Sequence, residues 1–493
     1  MAFKIISAEE AALHINHDDN IGISGFTAAG CPKLVTRALA ARAEALHKDG
    51  KPFKVGIFSG ASTSDSVDGV LSRADAIKYR VPYQSNPDSR KAINEQKLDY
   101  TDMHLSTIAQ NLRWGFIGKV NIAIIEATEV SEDGKITLTT GIGISPTISM
   151  LADKIIIELN SYFPKELKGI HDLYQPANLS LCKELPVFAT NDRVGDSFLK
   201  VDPNKIIGIV HSNQANGIKP FTEIDEVTQK IGENVADFLV KEYNSRSYPQ
   251  SRLHLQSGVG NIANAVLGSI CRNNDIPPIE MYTEVIQDSV IELIKSGRCK
   301  FASGSSLTIS DGVADEVFAN LDFFKDKLLL RPSEMSNHPE IIRRLSLITI
   351  NTALEADIYG NVNSSHIMGS KIVNGIGGAS DFTRNAYISI FTCKSIVKDG
   401  KISSIVPMVT HCDHSEHAVK VLITENGIAD LRGLSPRKRA EAIIENCVHP
   451  IYKPKLRAYL ASCPPTYTSH NLKKVFEMHN SYTETGNMMN AEF

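Results

Sequence analysis

Short apolar runs that end in glycine turns alternate with amphipathic stretches along most of the chain. Ser7 and Glu10, three positions apart, read as a capping box opening a helix at Ala11-Ala12-Leu13. Asn20 to Ser24 is a short apolar strand ending at Gly25, and the turn Phe26 to Gly30 leads to Pro32, which suits a first helical turn. Lys33 to Lys48 then carries Leu34, Val35, Leu39 and Leu46 toward one side, and the strand Phe53 to Phe58 runs into Ser59-Gly60-Ala61-Ser62. Asp75 to Ile108, polar and broken by Pro82 and Pro87, is read as irregular chain that wraps a site or covers a sheet edge. Val120 to Glu126, Ile136 to Thr140, Ile155 to Ile157 and Ile206 to Val210 read as further strands, the first of them apolar enough for a buried parallel position. Strand, glycine turn and helix in succession predict an open α/β sheet.

The second half repeats that grammar loosely. Leu253-His254-Leu255 runs into Gly258 and Gly260 as Ile21-Gly22-Ile23 runs into Gly25. Leu345 to Ile350 echoes the Val120 strand, and Gly375-Ile376-Gly377-Gly378 echoes Gly141-Ile142-Gly143. Tyr387 to Phe391 echoes Ile155 to Ile157. The spacing is too long for a solenoid and implies two similar α/β domains in tandem, residues 1–218 and 219–493. The join falls near Asn216 to Pro220, ahead of a helix from Glu226 to Glu242. The polar, Met-rich end from about Ser481 is expected to fray.

Composition narrows the function classes. At 493 residues with 42% hydrophobic and 22% charged content, the chain suits a globular enzyme of more than one domain. Lys and Arg total 52 against 56 acidic residues, so the basic excess that a nucleic-acid partner requires is missing. The eight cysteines form no C-x-x-C pair, and this suits free thiols in a reducing cytosol. With no apolar leader at Met1 to Ser7 and no run of spanning length, a cytoplasmic protein without a membrane partner is expected.

The candidate chemistry centres on Met281-Tyr282-Thr283-Glu284-Val285-Ile286-Gln287-Asp288, which sets one carboxylate just before an amphipathic run ending at Lys295. A Glu at a helix start usually does no more than face the macrodipole. Two glycine turns in its neighbourhood, Gly258 to Asn264 and Asn374 to Phe382, weigh against that bland role. Gly258-Val259-Gly260-Asn261-Ile262-Ala263 matches the dinucleotide fingerprint with Ala in third place, but a lone match at mid-chain is weak. No G-x-x-x-x-G-K phosphate loop occurs. Tight structural turns explain each glycine singly, though not their grouping at strand ends, where open sheets bind ligands.

Taken together, the motifs resemble the acetyl-CoA hydrolase/transferase family, in particular its succinyl-CoA:acetate type CoA-transferases. The likeness rests on Gly25-Phe26, Ser59 to Ser62, Gln256 to Asn264, Tyr282 to Asp288, Ser336-Asn337-His338-Pro339-Glu340, Asn374 to Gly378 and Thr424 to Gly433, in that order over nearly the whole chain. It implies two facing α/β domains with the active site in the cleft between them. It also implies that Glu284 is a nucleophile carrying CoA as a thioester, and that Asn337 positions the reacting carbonyl or carboxylate. Glu425 is implied to lie near the site. CoA contacts are implied at Gly258, Val259, Gly260, Asn261, Ile262, Asn374, Gly378 and Lys398. The implied substrates are an acyl-CoA and a short acid such as acetate, propionate or succinate, handled by a homodimer. A thioester hydrolase using the same Glu284 is the nearest rival reading, and a non-catalytic CoA- or nucleotide-binding protein a remote one.

His411-Cys412-Asp413-His414-Ser415-Glu416-His417 holds metal-competent groups, with His414 and His417 spaced to share a helix face. The resemblance places a similar run in a family whose reaction needs no metal. The segment is therefore read as a polar loop near the site, and no metal ligand is assigned.

Overall fold

The computed structural model describes residues 3–176, 184–220, 223–245 and 252–493. Two large sheets organise it. The first sets seven parallel strands side by side in the order Asp99–Tyr100, Ile77–Val81, Val55–Ser59, Asn20–Ile23, Ile122–Val130, Lys154–Asn160, Ile206–Ser212. The second sets Leu328–Leu330, Cys299–Gly304, Ile279–Tyr282, Leu253–Ser257, Ile348–Thr352, Ile388–Thr392 and Val421–Thr424, also parallel. Taken strand by strand, the two orders coincide. Each starts in the middle, grows outward to one edge, then returns and grows to the other. That reversal is a topological switch point, where open sheets leave a crevice beyond the strand ends. The echoes seen in the sequence pair the right strands: Asn20–Ile23 with Leu253–Ser257, Ile122–Val130 with Ile348–Thr352, and Lys154–Asn160 with Ile388–Thr392.

Local signals explain most of the elements. Ser7 caps the helix Ala8–Leu13 by accepting from the Glu10 backbone N–H at 3.0 Å, while the Glu10 carboxylate turns to Lys4 instead of closing a reciprocal box. The helix after the first strand is Leu34–Lys48, so Pro32 sits before its first turn and not inside it. Asp225 caps the helix Glu226–Asn244 through the Thr228 N–H at 2.8 Å.

Two expectations fail. Asp75 to Ile108 is not irregular: it forms the strands Ile77–Val81 and Asp99–Tyr100 and the helix Pro87–Asn94. Pro82 follows a strand end, and Pro87 occupies the first helical position behind Asn86, whose side chain accepts from Asp88 and Ser89. Both prolines mark boundaries of regular structure. The chain end is not frayed either. Glu477–Thr485 is helical, and Met488 and Ala491 are 1% exposed in a core with Tyr452, Tyr459 and Met478. Polarity suggests sparse burial there, but a few apolar side chains suffice to dock the segment.

The two halves are joined by backbone and by charge. Ile142 N–H donates to the Ser305 carbonyl at 2.9 Å, Leu307 N–H to Thr140 at 2.8 Å, and Ser333 N–H to Gly143 at 2.9 Å. Gly141 and Gly143 themselves pack against the Gly25 to Ala29 turn within the first half, where a Cβ on either would lie 2.1–2.2 Å from the Ala29 or Gly25 carbonyl oxygen. Arg113 meets Glu334 in a two-pronged pair, and Arg331 donates to Asp172 at 2.7 Å with both side chains buried. Removing one member of such a pair strands the other charge in a medium that solvates it poorly, at a cost of about 3–5 kcal/mol. Asp172→Ala is expected to lose about that much stability in urea unfolding. A change under ~1 kcal/mol would show that water or another group takes over Arg331.

Candidate active site

A cavity of about 210 Å³ opens where the carboxyl ends of the two sheets face each other. Phe26, Thr27, Ala61, Tyr83 and Leu105 line it from the first half. From the second half come the glycine turns and Glu284, which stands two residues past the end of its strand, Ile279–Tyr282. Ala61 stands two residues past Ser59, the end of the matching strand, so the repeat carries a carboxylate at this place on one side only. The helix here begins at Asp288, after a short strand Val285–Ile286. Glu284 is therefore a strand-end residue and not part of a first helical turn.

The carboxyl opens onto the cavity on one side and is enclosed by protein elsewhere. Loss of solvent pushes its pKa up to about 7; the Asn337 amide, which donates to it, works against the rise, and the nearby Asp381 adds to it. Asn337 is fixed in turn, since Ser336 Oγ donates to its amide oxygen at 2.8 Å. Asp381 accepts from Ser106 N–H at 3.0 Å and Ser106 Oγ at 2.6 Å, and its pKa is raised by burial to about 6. Gly378 walls off another side. A Cβ at that position would sit 1.6 Å from Glu284 Oε1 and 2.2 Å from Asn337 Nδ2, so only glycine leaves room for the carboxylate.

The glycine turn Asn374 to Gly378 is held by the first half. Asp102 accepts the Ile376 N–H with both oxygens, at 2.9 and 3.0 Å, and Tyr100 donates its hydroxyl proton to the Asn374 carbonyl at 3.1 Å. Burial raises the Asp102 pKa to about 6 despite that backbone bond. Asp102, Tyr100, Tyr83 and Ser106 all lie in or near the stretch whose polarity suggests irregular chain, which is why sequence reasoning missed them. The pair Asn86-Pro87, a cap followed by a first-turn proline, was the available sign of order there.

The other expected positions divide into two groups. Gly258, Val259, Asn374 and Gly378 line the Glu284 cavity. Gly260, at φ +116°, and Asn261 lead into the helix Asn261–Arg272. Ile262 and Lys398 line a second, more apolar cavity of about 350 Å³ with Leu354, His366, Val397 and Tyr482. The two cavities adjoin, because Val259 and Ile262, Thr352 and Ala353, and Ser364 and His366 fall on either side of the division. Lys398 Nζ donates to Tyr482 Oη at 2.9 Å. Glu425 is not brought to Glu284. It follows the strand Val421–Thr424, four strands along the sheet, about 19 Å away at the usual strand spacing. Its carboxylate accepts from Ser395 N–H at 2.9 Å. The His411 segment is no helix: His414 bridges to Val362 through the backbone, and His417 lines a different cavity with Arg432.

The comparisons with known proteins assign the chain to a family. Residues 2–211 match the acetyl-CoA hydrolase/transferase N-terminal domain, and residues 314–460 match the corresponding C-terminal domain. The chain belongs to the acetyl-CoA hydrolase/transferase family. It is 46% identical to a propanoyl-CoA:succinate CoA transferase of Escherichia coli K12, over 98% of both chains. It is 47% identical to a succinyl-CoA:acetate CoA-transferase of Clostridium kluyveri, over 98% of this chain and 90% of the other. Several fungal relatives, 37–38% identical, are named acetyl-CoA hydrolases. Among solved structures, RipA from Yersinia pestis superposes with a TM-score of 0.71 at 22% identity, covering 92% of this chain and 96% of that one, a likeness of fold. The relatives make this chain an enzyme of the CoA-transferase kind.

Two outcomes follow for the site. A nucleophilic carboxyl works only when ionised, so kcat/KM is expected to fall below a midpoint near about 7. Asp381→Asn, which removes a neighbouring negative charge, should move that acid limb to lower pH. Asn337→Ala, which removes the donor favouring the carboxylate, should move it to higher pH; no movement in either variant would contradict the assignment. Gly378→Ala displaces the carboxylate, and a shift of about 1 Å costs on the order of a hundredfold in rate. Its turnover should drop at least that far with Tm nearly unchanged, because the backbone there (φ −92°) is one that alanine accepts.

Proposed function

We propose that the enzyme moves CoA between an acyl-CoA and a short-chain carboxylate, with Glu284 as the covalent carrier. The observation that supports this most strongly is the Glu284 carboxyl itself: enclosed, held by Asn337 against Gly378, and facing a cavity too small for more than the reacting end of a substrate. The adjoining apolar cavity, ending at Lys398, suits the long arm of CoA. Gly258, Val259 and Ile262 flank the passage, and we assign the CoA contacts to them together with Gly260, Asn261, Asn374, Gly378 and Lys398. Glu425 we leave outside the reacting centre, as a group that orders the Ser395 turn beside that second cavity.

A Glu284 oxygen attacks the acyl carbonyl and the CoA thiolate leaves, giving an acyl-glutamyl anhydride. The thiolate then attacks the Glu284 carbonyl carbon, releasing the first acid and leaving CoA on the enzyme as a thioester. An incoming carboxylate runs the same steps backward. Each step passes through an oxyanion, and a preorganised donor such as the Asn337 amide or a glycine-turn N–H is worth about 3–4 kcal/mol to it. None of these steps calls for a metal.

Acetate, propionate and succinate are the acids we favour, following the names of the two bacterial relatives. A cytoplasmic homodimer completes the reading. The seven free cysteines among the described residues suit a reducing compartment, and no helix among those residues is long and apolar enough to cross a membrane. We place the domain boundary near residue 218, between the last strand of the first sheet and the first of the second. Hydrolysis is the second reading, carried by the fungal relatives; it differs only in letting water reach the thioester.

Initial rates with both substrates varied should give parallel double-reciprocal lines, and Glu284→Ala should abolish transfer while acyl-CoA still binds. Glu284→Asp, shorter by one methylene, should lose roughly a hundredfold or more. Intersecting lines, or near-normal turnover in Glu284→Ala, would refute the scheme. Acyl-CoA consumption that is equally fast without acceptor acid would assign the enzyme to hydrolysis.

A further inference from the structure

The His411 segment and the turn at Ser364 to His366 meet beside the cleft, and the meeting gathers ligand atoms. His366, His411 and Asp413 each bring one such atom to within 4.8 Å of the other two. His411 Nε2 and Asp413 Oδ1 are 3.3 Å apart. A tetrahedral zinc ion, with bonds of about 2.0–2.2 Å, sets neighbouring ligand atoms about 3.3–3.6 Å apart, so this edge already has the length of a zinc site. The imidazoles of His366 and His411 lie close together, centroids 3.8 Å apart, with their planes tilted by 34°.

The groups are also held from behind. Ser365 Oγ lies 2.8 Å from His366 Nδ1 and within 2.7–2.8 Å of both Asp413 oxygens, which leaves Nε2 as the ring nitrogen free to bind. Ser364 N–H donates to Asp413 Oδ2 at 2.7 Å. The two turns are laced together by backbone bonds, Val362 N–H to the His414 carbonyl at 2.8 Å and Asp413 N–H to the Val362 carbonyl at 2.9 Å. An oriented histidine, a buried carboxylate and a fixed backbone are what a metal site needs around its ligands. His411, 41% exposed, gives an ion access from solvent and has freedom to close the last ångström.

We propose that His366, His411 and Asp413 form a three-ligand site for a borderline divalent cation of the zinc class, with a fourth position open to water. A donor set of two imidazoles and one carboxylate favours Zn²⁺, Co²⁺ and Ni²⁺ over Mg²⁺ or Ca²⁺. The pairing that sequence spacing suggests, His414 with His417, is not the one used, since His366 joins from a turn some 45 residues upstream. The site lies beside the cavity assigned to the CoA arm, which His366 also lines, but away from Glu284, on which the transfer chemistry proceeds.

Co²⁺ is the probe, because its d–d absorption reports an ordered tetrahedral or five-coordinate site directly. Chelator-treated protein titrated with Co²⁺ should develop visible bands that saturate at one ion per chain and vanish on adding Zn²⁺. His366→Asn and His411→Asn should abolish the bands, while Cys412→Ser and His417→Asn keep them. Ser365→Ala should weaken binding about 10–100-fold, the usual loss when a supporting partner of a ligand is removed. Tm of each variant checks the fold, and His411, being exposed, supplies a variant that leaves packing intact. Absence of saturable bands, or bands that survive the His366→Asn/His411→Asn double substitution, would overturn the proposal. Transfer turnover of the metal-free protein should equal that of the untreated protein; a loss that Zn²⁺ restores would overturn the separation from catalysis without touching the role of Glu284.

Discussion

The structure turns on keeping one carboxylate both out of water and charged. Enclosure lifts the Glu284 pKa to about 7, which makes the carboxyl a better nucleophile and, below neutrality, a protonated and idle one. Asn337 offsets part of that cost with a donated hydrogen bond, and Gly378 permits it by having no side chain. Each feature is held by further contacts. Asn337 depends on Ser336, Asp381 on Ser106, and the Gly378 turn on Asp102 and Tyr100 from the other half of the chain. The Glu284 carboxyl is thus gripped through residues of both sheets, and anything that parts the halves loosens it.

Repetition explains how such a grip arises. Two sheets with one strand order, packed with their carboxyl ends toward each other, bring two switch-point crevices into one cavity. The halves then divide the work. The second contributes Glu284, Asn337 and the glycine turns, while the first contributes apolar lining and the residues that clamp Asn374 to Gly378. Ala61, at the place in the first sheet that Glu284 holds in the second, shows that the symmetry is one of fold and not of chemistry. Gly141 and Gly143 shape the first half's side of that cavity, since a Cβ on either would meet the Gly25 to Ala29 turn.

Much of this was legible in the sequence because strand ends, glycine turns and caps are local signals. The repeat was legible too, since Ile122–Val130 and Ile348–Thr352 are both buried apolar strands. What stayed hidden depends on contacts far apart in the chain. Asp102 and Ile376 are separated by 274 residues, and nothing local to either announces the bond. His366 joins His411 in the same hidden way, through a turn that spacing alone could not connect. Polarity misled at two places, Asp75 to Ile108 and the chain end after Ser481, where few apolar side chains are enough to anchor an element against a large neighbour. Glu425 shows the converse: a motif residue just past the carboxyl end of a strand in the same sheet, but four strands from Glu284.

The most direct measurement is the address of the covalent intermediate. Enzyme mixed with acyl-CoA and no acceptor acid has nowhere to pass the CoA, so the glutamyl thioester should accumulate. Borohydride reduction, tryptic digestion and mass spectrometry should then place a single modification on Glu284, within the peptide that runs from Asn273 to Lys295. A modification on any other residue, or none while exchange proceeds at its normal rate, would contradict the carrier role of that carboxylate.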